Sequence, residues 1–332
     1  MDICLFNPGI ENNQGHPSSN LGDLFIERAV LRELKALMGD CRIFPISSHV
    51  FPGREEIHRV RQCPLRIVGG TNLLSSNMNE WRQWKISLLD AARIRNAILF
   101  GVGWWQYQEA PNAFTRLLLR LSLSRQALHS VRDGYTEAKL RAVGFANVIN
   151  TCCPTLWPLA QMKSEAIPRQ KADTALLMLT DYYSRPELDA RLAELVIQRY
   201  QKVYFWPQGR QDMELIAKFG ARLTSLQTNV ASFDEFLASG IPFDYIGTRL
   251  HGGVICLLAR KRSLIIEVDN RAREIARDTG LPTAARDDFE FISRWITGPT
   301  ETHIALPLEA IDRWRAQFRP PKNDSRQGKP TS

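Results

Sequence analysis

No apolar run in this 332-residue chain approaches the ~18 residues that a membrane-spanning helix needs; the longest, residues 97–105, is broken by two glycines. Cysteine is sparse. The six, at positions 4, 41, 63, 152, 153 and 256, form no Cys-x-x-Cys pair, and the adjacent Cys152-Cys153 has no histidine at zinc-finger spacing. A disulfide framework and structural zinc are both disfavoured, and buried free thiols are the reading that remains. No metal-ligand cluster is visible, so no metal is expected. There is no G-x-x-x-x-G-K-[ST], which excludes a P-loop nucleotidase. Gly101-Val102-Gly103 starts like a dinucleotide fingerprint, but Gln106 stands where the third glycine belongs, and Trp104 and Trp105 crowd the approach of a pyrophosphate. NAD and FAD are rejected on that evidence. The first residues, Met1-Asp2-Ile3-Cys4-Leu5-Phe6, carry no basic n-region and no small-residue cleavage site. They read as a strand rather than a signal peptide, which points to the cytoplasm.

What is present is an ordinary globular composition, 44% hydrophobic and 23% charged, with length enough for two domains. The net charge is +8, but from residue 313 onward six Lys/Arg stand against the single acid Asp324, so five of those charges lie in the tail. The folded part is only mildly basic. A Pro-, Lys-, Ser- and Gln-rich tail from residue 320 reads as disordered. Its charge suits either a solvated end or peripheral contact with anionic lipid head groups.

Short apolar runs alternate with amphipathic stretches along most of the chain, the pattern of parallel βαβ units. Strands are expected at 1–7, 42–46, 65–68, 96–101, 129–132 and 146–150. Helices are expected from Gly22-Asp23 and over 55–61, 81–93, 116–128 and 134–143. After the polar stretch 162–173 the alternation restarts. It brings strands at 174–180, 202–206, 223–226, 243–246 and 263–268, with helices at 186–200, 211–219, 233–239, 271–279 and 289–296. The division expected is an α/β N-terminal domain over 1–160, a second over 161–305, a C-terminal helix over 306–319 and the basic tail over 320–332. A cleft between two such halves is the natural place for a ligand.

The most informative stretch is Gly247-Thr248-Arg249-Leu250-His251-Gly252-Gly253, which follows the apolar run 243–246. If that run is a strand, the arginine and histidine sit just beyond its carboxyl end, where open α/β sheets bind ligands. Gly252 and Gly253 would open a helix whose first N–H groups favour an anion. Arg249 offers a permanent fork of donors for carboxylate or phosphate, and His251 can exchange a proton near neutral pH. An arginine and a histidine in such a turn can equally be structural. Asp23, in Asn20-Leu21-Gly22-Asp23 after the first strand, is either a helix cap or a site residue. Gly69-Gly70 is either a tight turn or a ligand-facing backbone. Arg132, in Ser130-Val131-Arg132-Asp133, either clamps an anion or pairs with Asp133. His16, in the first glycine-rich loop, is close enough in sequence to reach a cleft, whereas His49, His58, His129 and His303 have no partner at motif spacing.

Taken in order, these motifs resemble the polysaccharide pyruvyl transferase family over roughly residues 1–282. The matches are Asn20-x-Gly22-Asp23, Gly69-Gly70, Ser130-x-Arg132-Asp133 and, most specifically, Arg249-Leu250-His251-Gly252 followed by Asp269. The family usually carries a lysine two positions beyond that aspartate; here Arg271 stands there. The resemblance implies a GT-B-like fold, two Rossmann-like domains facing a cleft. It also implies transfer of pyruvate from phosphoenolpyruvate to a hexose of a surface polysaccharide or its lipid-linked precursor, forming a ketal and releasing phosphate. Phosphoenolpyruvate is then a co-substrate, no cofactor is needed, and nucleic acid is not a partner. On this reading Arg249, Arg132, Arg271, Gly252 and Gly253 hold the donor, and Asn20, Gly70, Asp133 and His16 face the acceptor. His251 and Asp23 do the proton chemistry, His251 as acid, base or both with a pKa near 7. The alternative is a GT-B glycosyltransferase with a sugar-nucleotide donor, for which Glu267 or Glu274 would grip the ribose.

Overall fold

Ile3, Cys4, Leu5 and Phe6 are apolar in an unbroken row, which suits a parallel strand covered on both faces. In the computed structural model, which describes residues 1–180, 182–183, 185–208, 212–213, 217 and 219–319, they form the buried centre of β1 (Asp2–Asn7). β1 lies between the parallel strands β2 (Arg42–Ser47) and β3 (Leu65–Gly69), and β3 pairs with β4 (Ile98–Phe100), giving the order β2-β1-β3-β4. The parallel pair β5 (His129–Val131) and β6 (Val148–Asn150) continues this sheet. The Gly101 N–H donates to the Ser130 carbonyl at 3.0 Å and the Arg132 N–H to the Val102 carbonyl at 3.1 Å. Helices α1 (Leu21–Met38), α2 (Arg54–Gln62), α3 (Leu88–Ile94), α4 (Ala113–Ser122) and α5 (Gly134–Val143) make the connections.

The second sheet has the order β9-β8-β7-β10-β11-β12, all parallel. Its strands are β7 (Thr174–Met178), β8 (Lys202–Phe205), β9 (Thr224–Ser225), β10 (Asp244–Gly247), β11 (Ser263–Glu267) and β12 (Thr283–Ala285). The described helices are α6 (Pro186–Arg199), α7 (Val230–Ala238), α8 (Leu250–Leu258), α9 (Asn270–Thr279) and α10 (Phe289–Thr297). Strand order reverses between β1 and β3 in the first sheet and between β7 and β10 in the second. Both are switch points of the kind where doubly wound folds bind ligands.

The halves share apolar contacts. Phe25 of α1 packs on Trp206 and Phe233 of the second half, with centroids 6.1 and 5.8 Å away. The last helix, α11 (Leu308–Ala316), returns to the first half, where the fully buried Trp314 stacks on Phe100 at 4.3 Å.

Several helices start or stop away from the sequence expectation; the helix expected over 233–239, for one, begins at Val230. Over 81–87 the amides are taken elsewhere: the Trp84 N–H donates to the Leu73 carbonyl and the Lys85 N–H to the Ser48 carbonyl. Helix α3 therefore begins only at Leu88, behind the N-cap Ser87 that forms a capping box with Asp90. Helix α4 ends at Ser122 because Ser124 bonds the Ala97 carbonyl and the chain turns into a bridge with β4's approach. Helix α8 starts at Leu250, two residues before the glycines. Most of the helix expected over 211–219, and the whole tail from 320, lie outside the described residues.

Candidate functional site

The second switch point is built by close backbone approach. A Cβ on Gly247 would collide with the Met178 carbonyl, and the Thr248 N–H donates to that same carbonyl at 2.9 Å. The turn leaves Arg249 at the N-cap of α8 with extended backbone. Its buried guanidinium reaches back across β7, Nε donating to the Leu179 carbonyl at 2.8 Å and a terminal nitrogen to Asp212 at 3.0 Å. His251 lies in the first turn of α8, also buried. Its ring faces the N-terminus of α1: Nδ1 is 3.5 Å from where a Cβ of Gly22 would stand, and Nε2 is 3.8 Å from the Cys153 sulfur. Two helix N-termini thus converge on one imidazole, an arrangement that favours a negative charge between them.

Arg271 arrives from the first turn of α9, where Asp269 is the N-cap and accepts from the Arg271 N–H at 2.9 Å. The Asp269 carboxylate also accepts from Arg271 Nε at 2.8 and 3.0 Å, and Arg271 donates to the Tyr182 hydroxyl at 2.6 Å. Burial works against the Arg271 charge, but Asp269 and Tyr182 outweigh it and raise its pKa. The Tyr182 ring stands between two guanidinium groups, its centroid 5.3 Å from Arg249 and 5.3 Å from Arg271.

Across the cleft, Asn20 caps α1. Its Oδ1 accepts from the Gly22 N–H at 3.2 Å and its Nδ2 donates to Asp23 at 3.0 Å. Asp23 also accepts from the Thr71 hydroxyl at 3.2 Å and lies 3.9 Å from His49 Nε2. Burial raises the Asp23 pKa, with His49 and Arg271 opposing. His251 is shifted the other way. Burial, then repulsion from Arg271 and Arg132, pushes its ring down to about 3, against the weaker pull of Asp269. The expectation of an imidazole with a pKa near 7 is therefore corrected: burial and the two guanidinium groups hold the ring neutral. Burial likewise raises the Cys153 thiol, which leaves it protonated beside Nε2.

These side chains enclose a cavity of about 10 Å³ lined by Asn20, Gly22, Tyr182, Gln208, Arg249, His251, Gly252 and Arg271, space for about one water. Among the described residues no group of three His, Cys, Asp or Glu side chains forms a metal cage.

Several expected site residues have other work. Asp133 is fully buried with both oxygens committed, Oδ1 to the Thr136 N–H and hydroxyl and Oδ2 to Arg132 Nε. It caps α5 and holds Arg132 in place. Arg132 donates from Nε to Asp133 at 3.1 Å and from a terminal nitrogen to Asn72 at 2.7 Å, and its charge acts on His251. A Cβ on Gly103 would overlap the Arg132 guanidinium, which is the physical reason for the glycine first met in a dinucleotide-like motif. A Cβ on Gly70 would strike the Gly101 carbonyl, so this glycine serves strand packing. Gly252 lines the cavity, whereas Gly253 faces the sheet against Ile265 and Tyr245. His16 is exposed and bonded to Asn12 at 3.0 Å. Sequence reasoning missed Tyr182, Asp212, Gln208, Cys153 and His49. Tyr182 follows β7 at the switch point, so its position after that strand was a usable signal; His49 meets Asp23 only through the fold.

Two parallel Rossmann-like units, with arginines, an imidazole and two helix N-termini turned into the cleft between them, define a GT-B-like α/β protein. Within that class the chain belongs to the polysaccharide pyruvyl transferase family, whose sequence pattern it matches over residues 20–270. Membership makes it a transferase concerned with pyruvyl transfer onto polysaccharide. Among solved structures it is similar to the wall teichoic acid polymerase TagF, at 10% identity and a TM-score of 0.43, covering 96% of this chain and 82% of that one. No curated protein matches.

Proposed function

We propose that the protein transfers pyruvate from phosphoenolpyruvate to two hydroxyls of a hexose, in a surface polysaccharide or its lipid-linked precursor, forming a ketal and releasing phosphate. The observation that carries this reading is the meeting of Arg249, Arg271, His251 and two helix N-termini around one cavity. A small donor bearing both a carboxylate and a phosphate needs that density of fixed cations and N–H groups. The cavity holds about one water, so the donor enters by displacing Tyr182 from between the two guanidinium groups. The lost stacking and Tyr182 hydrogen bond are then replaced by charge-assisted bonds to the donor.

The opposed pKa shifts support a division of the proton chemistry between Asp23 and His251. Asp23, raised by burial, supplies the proton that C3 of the enol takes up, leaving C2 electrophilic. His251, held neutral, accepts the proton of the attacking hydroxyl as its oxygen bonds to C2. The donor's negative charge offsets the repulsion from Arg271 and Arg132 and stabilises the imidazolium so formed. The C2–O bond to phosphate then breaks, phosphate leaving with the electron pair and, by way of His251, the first hydroxyl's proton. The second hydroxyl closes the ketal, its proton restoring Asp23. Phosphoenolpyruvate as donor also implies a cytoplasmic enzyme, with any membrane contact made through its basic end.

A sugar-nucleotide donor finds less support. Glu267 is held by Arg273 and Thr283, and Glu274 by Tyr107 and Arg277, so neither stands ready for a ribose. The test is calorimetric titration with phosphoenolpyruvate and with UDP, followed by incubation with phosphoenolpyruvate and a panel of hexosides. Saturable binding of phosphoenolpyruvate, phosphate release and a product heavier by one pyruvyl group are expected. Binding of UDP with no binding of phosphoenolpyruvate would overturn the reading.

A further inference from the structure

A second cavity of about 560 Å³ opens beside the small one, at the carboxyl ends of β11 and β12, well within the ~300–1,000 Å³ usual for ligand sites. The two share a wall. Tyr182 faces the small cavity and Tyr183 the large one, while the Asp269–Arg271 ion pair contributes Asp269 to the large and Arg271 to the small. Its charged lining is balanced: Glu267, Asp269 and Asp287 against Arg185, Arg273 and Arg286. Arg273 is already bonded to Glu267 at 2.9 Å and Arg286 to Asp189 at 2.6 Å. A nucleoside diphosphate would find no excess positive charge here. A neutral polyol would find the Asp287 carboxylate as an acceptor and the Arg185 guanidinium as a donor for its hydroxyls.

Three further features mark the cavity as a binding place. Aromatic side chains gather at one wall: Tyr107 and Tyr183 line the cavity, Trp105 Nε1 donates to the Tyr183 hydroxyl at 3.0 Å, and Trp81 stacks on Trp105 with centroids 5.2 Å apart. Trp81, Tyr107 and Tyr183 are 52%, 51% and 42% exposed, large apolar surface left in water. Gln106 and Tyr183, which line the cavity from the two halves, both hold left-handed backbone, with φ of 55° and 54°. Such strain gathers at sites of function. Arg286 is nine-tenths buried, and among the described residues its Nε–H has no partner, where most buried donors are satisfied.

We infer that this cavity is the saccharide subsite, taking a neutral glycan. The reacting sugar lies at the Asp269 end and the next ring over Trp105 and Tyr183, the carbohydrate C–H face against the electron-rich ring faces. This rests on the pyruvyl-transfer reading for the identity of the acceptor, but its test does not.

The test is saturation-transfer NMR on the full chain with lactose, cellobiose and mannobiose, which present galactose, glucose and mannose ends. Transfer to the ring protons of at least one disaccharide is expected. Affinity should fall about tenfold or more in Trp105→Ala and in Asp287→Asn and survive in Trp105→Phe, with phosphoenolpyruvate affinity unmoved in all three. No transfer from any disaccharide to the wild type overturns the inference, as do wild-type affinity in both variants and displacement of the disaccharide by UDP. Disaccharide binding lost in the variants while the wild type fails to bind phosphoenolpyruvate would keep the subsite and sink only the donor assignment.

Discussion

His251 is neutral for reasons that lie outside its own segment. Burial and two guanidinium groups from other elements disfavour its proton. Removing the ring in His251→Ala should lower kcat by about 10²–10⁴-fold, read as phosphate release with acceptor present, while the fold is kept. Asp23→Asn should leave phosphoenolpyruvate binding within a few-fold and abolish the proton delivered to C3. In D₂O the wild-type product should carry one deuterium in the pyruvyl methyl group, and the variant should form no product. Arg249→Ala should weaken the donor by about 1.5–3 kcal/mol, the range for one charged hydrogen-bonded contact, measured by calorimetry. His129 makes a prediction about stability. Burial pushes its ring down to about 4, Nδ1 accepting from the Leu99 N–H and Nε2 bonded to the Ser124 carbonyl. The unfolded ring titrates near ~6.5, so between those values the unfolded chain binds a proton that the native one does not. Stability is therefore intact above about pH 6.5 and falls as the pH drops toward 4, by up to about 3 kcal/mol. His251 acts in the same direction. A flat melting temperature between pH 7 and 5 would contradict this.

At the scale of the element, α8 shows how a short motif serves two masters. Its N-terminal turn presents Arg249 and His251 to the cleft, and its glycines let it lie close on the sheet. A Cβ on Gly253 would stand 2.5 Å from Ile265 and 2.7 Å from Tyr245. Gly253→Ala should thus cost about 1–3 kcal/mol by overpacking, seen as a lower denaturation midpoint, without removing any group from the site. Strand β10 carries the other constraint on this element. Asp244 and Arg262 are each 1% exposed and joined at 2.7 Å, with the Tyr200 hydroxyl on the same carboxylate at 2.7 Å. Breaking that pair leaves a buried charge uncompensated, so the register of β10 beside β11, and with it the aim of Arg249, depends on residues far from the cleft.

For the whole molecule, the question is what holds two halves in one relation. Several crossings do it: Phe25 of α1 sits in the second half's aromatic cluster, Asp278 of α9 accepts from the Gly134 N–H at 2.7 Å, and α11 brings Trp314 back between Phe100 and Trp157. Trp314→Ala should destabilise the first half by about 3–5 kcal/mol, read by denaturant unfolding. Donor affinity should fall with it, because the convergence of α1 and α8 requires both halves in place.

The sequence alone determined the strands, the restart of the alternation after residue 173, and the Arg249/His251 turn at a strand end, because each is written in local periodicity or in residues a few positions apart. Only the tertiary structure decided which charges meet. Tyr182 between two arginines, His49 beside Asp23, Arg132 filling the space over Gly103 and the aromatic wall of the larger cavity all join residues tens to hundreds of positions apart. A side chain's pKa and its free donors depend on what burial and long-range packing bring next to it, and no local pattern encodes that.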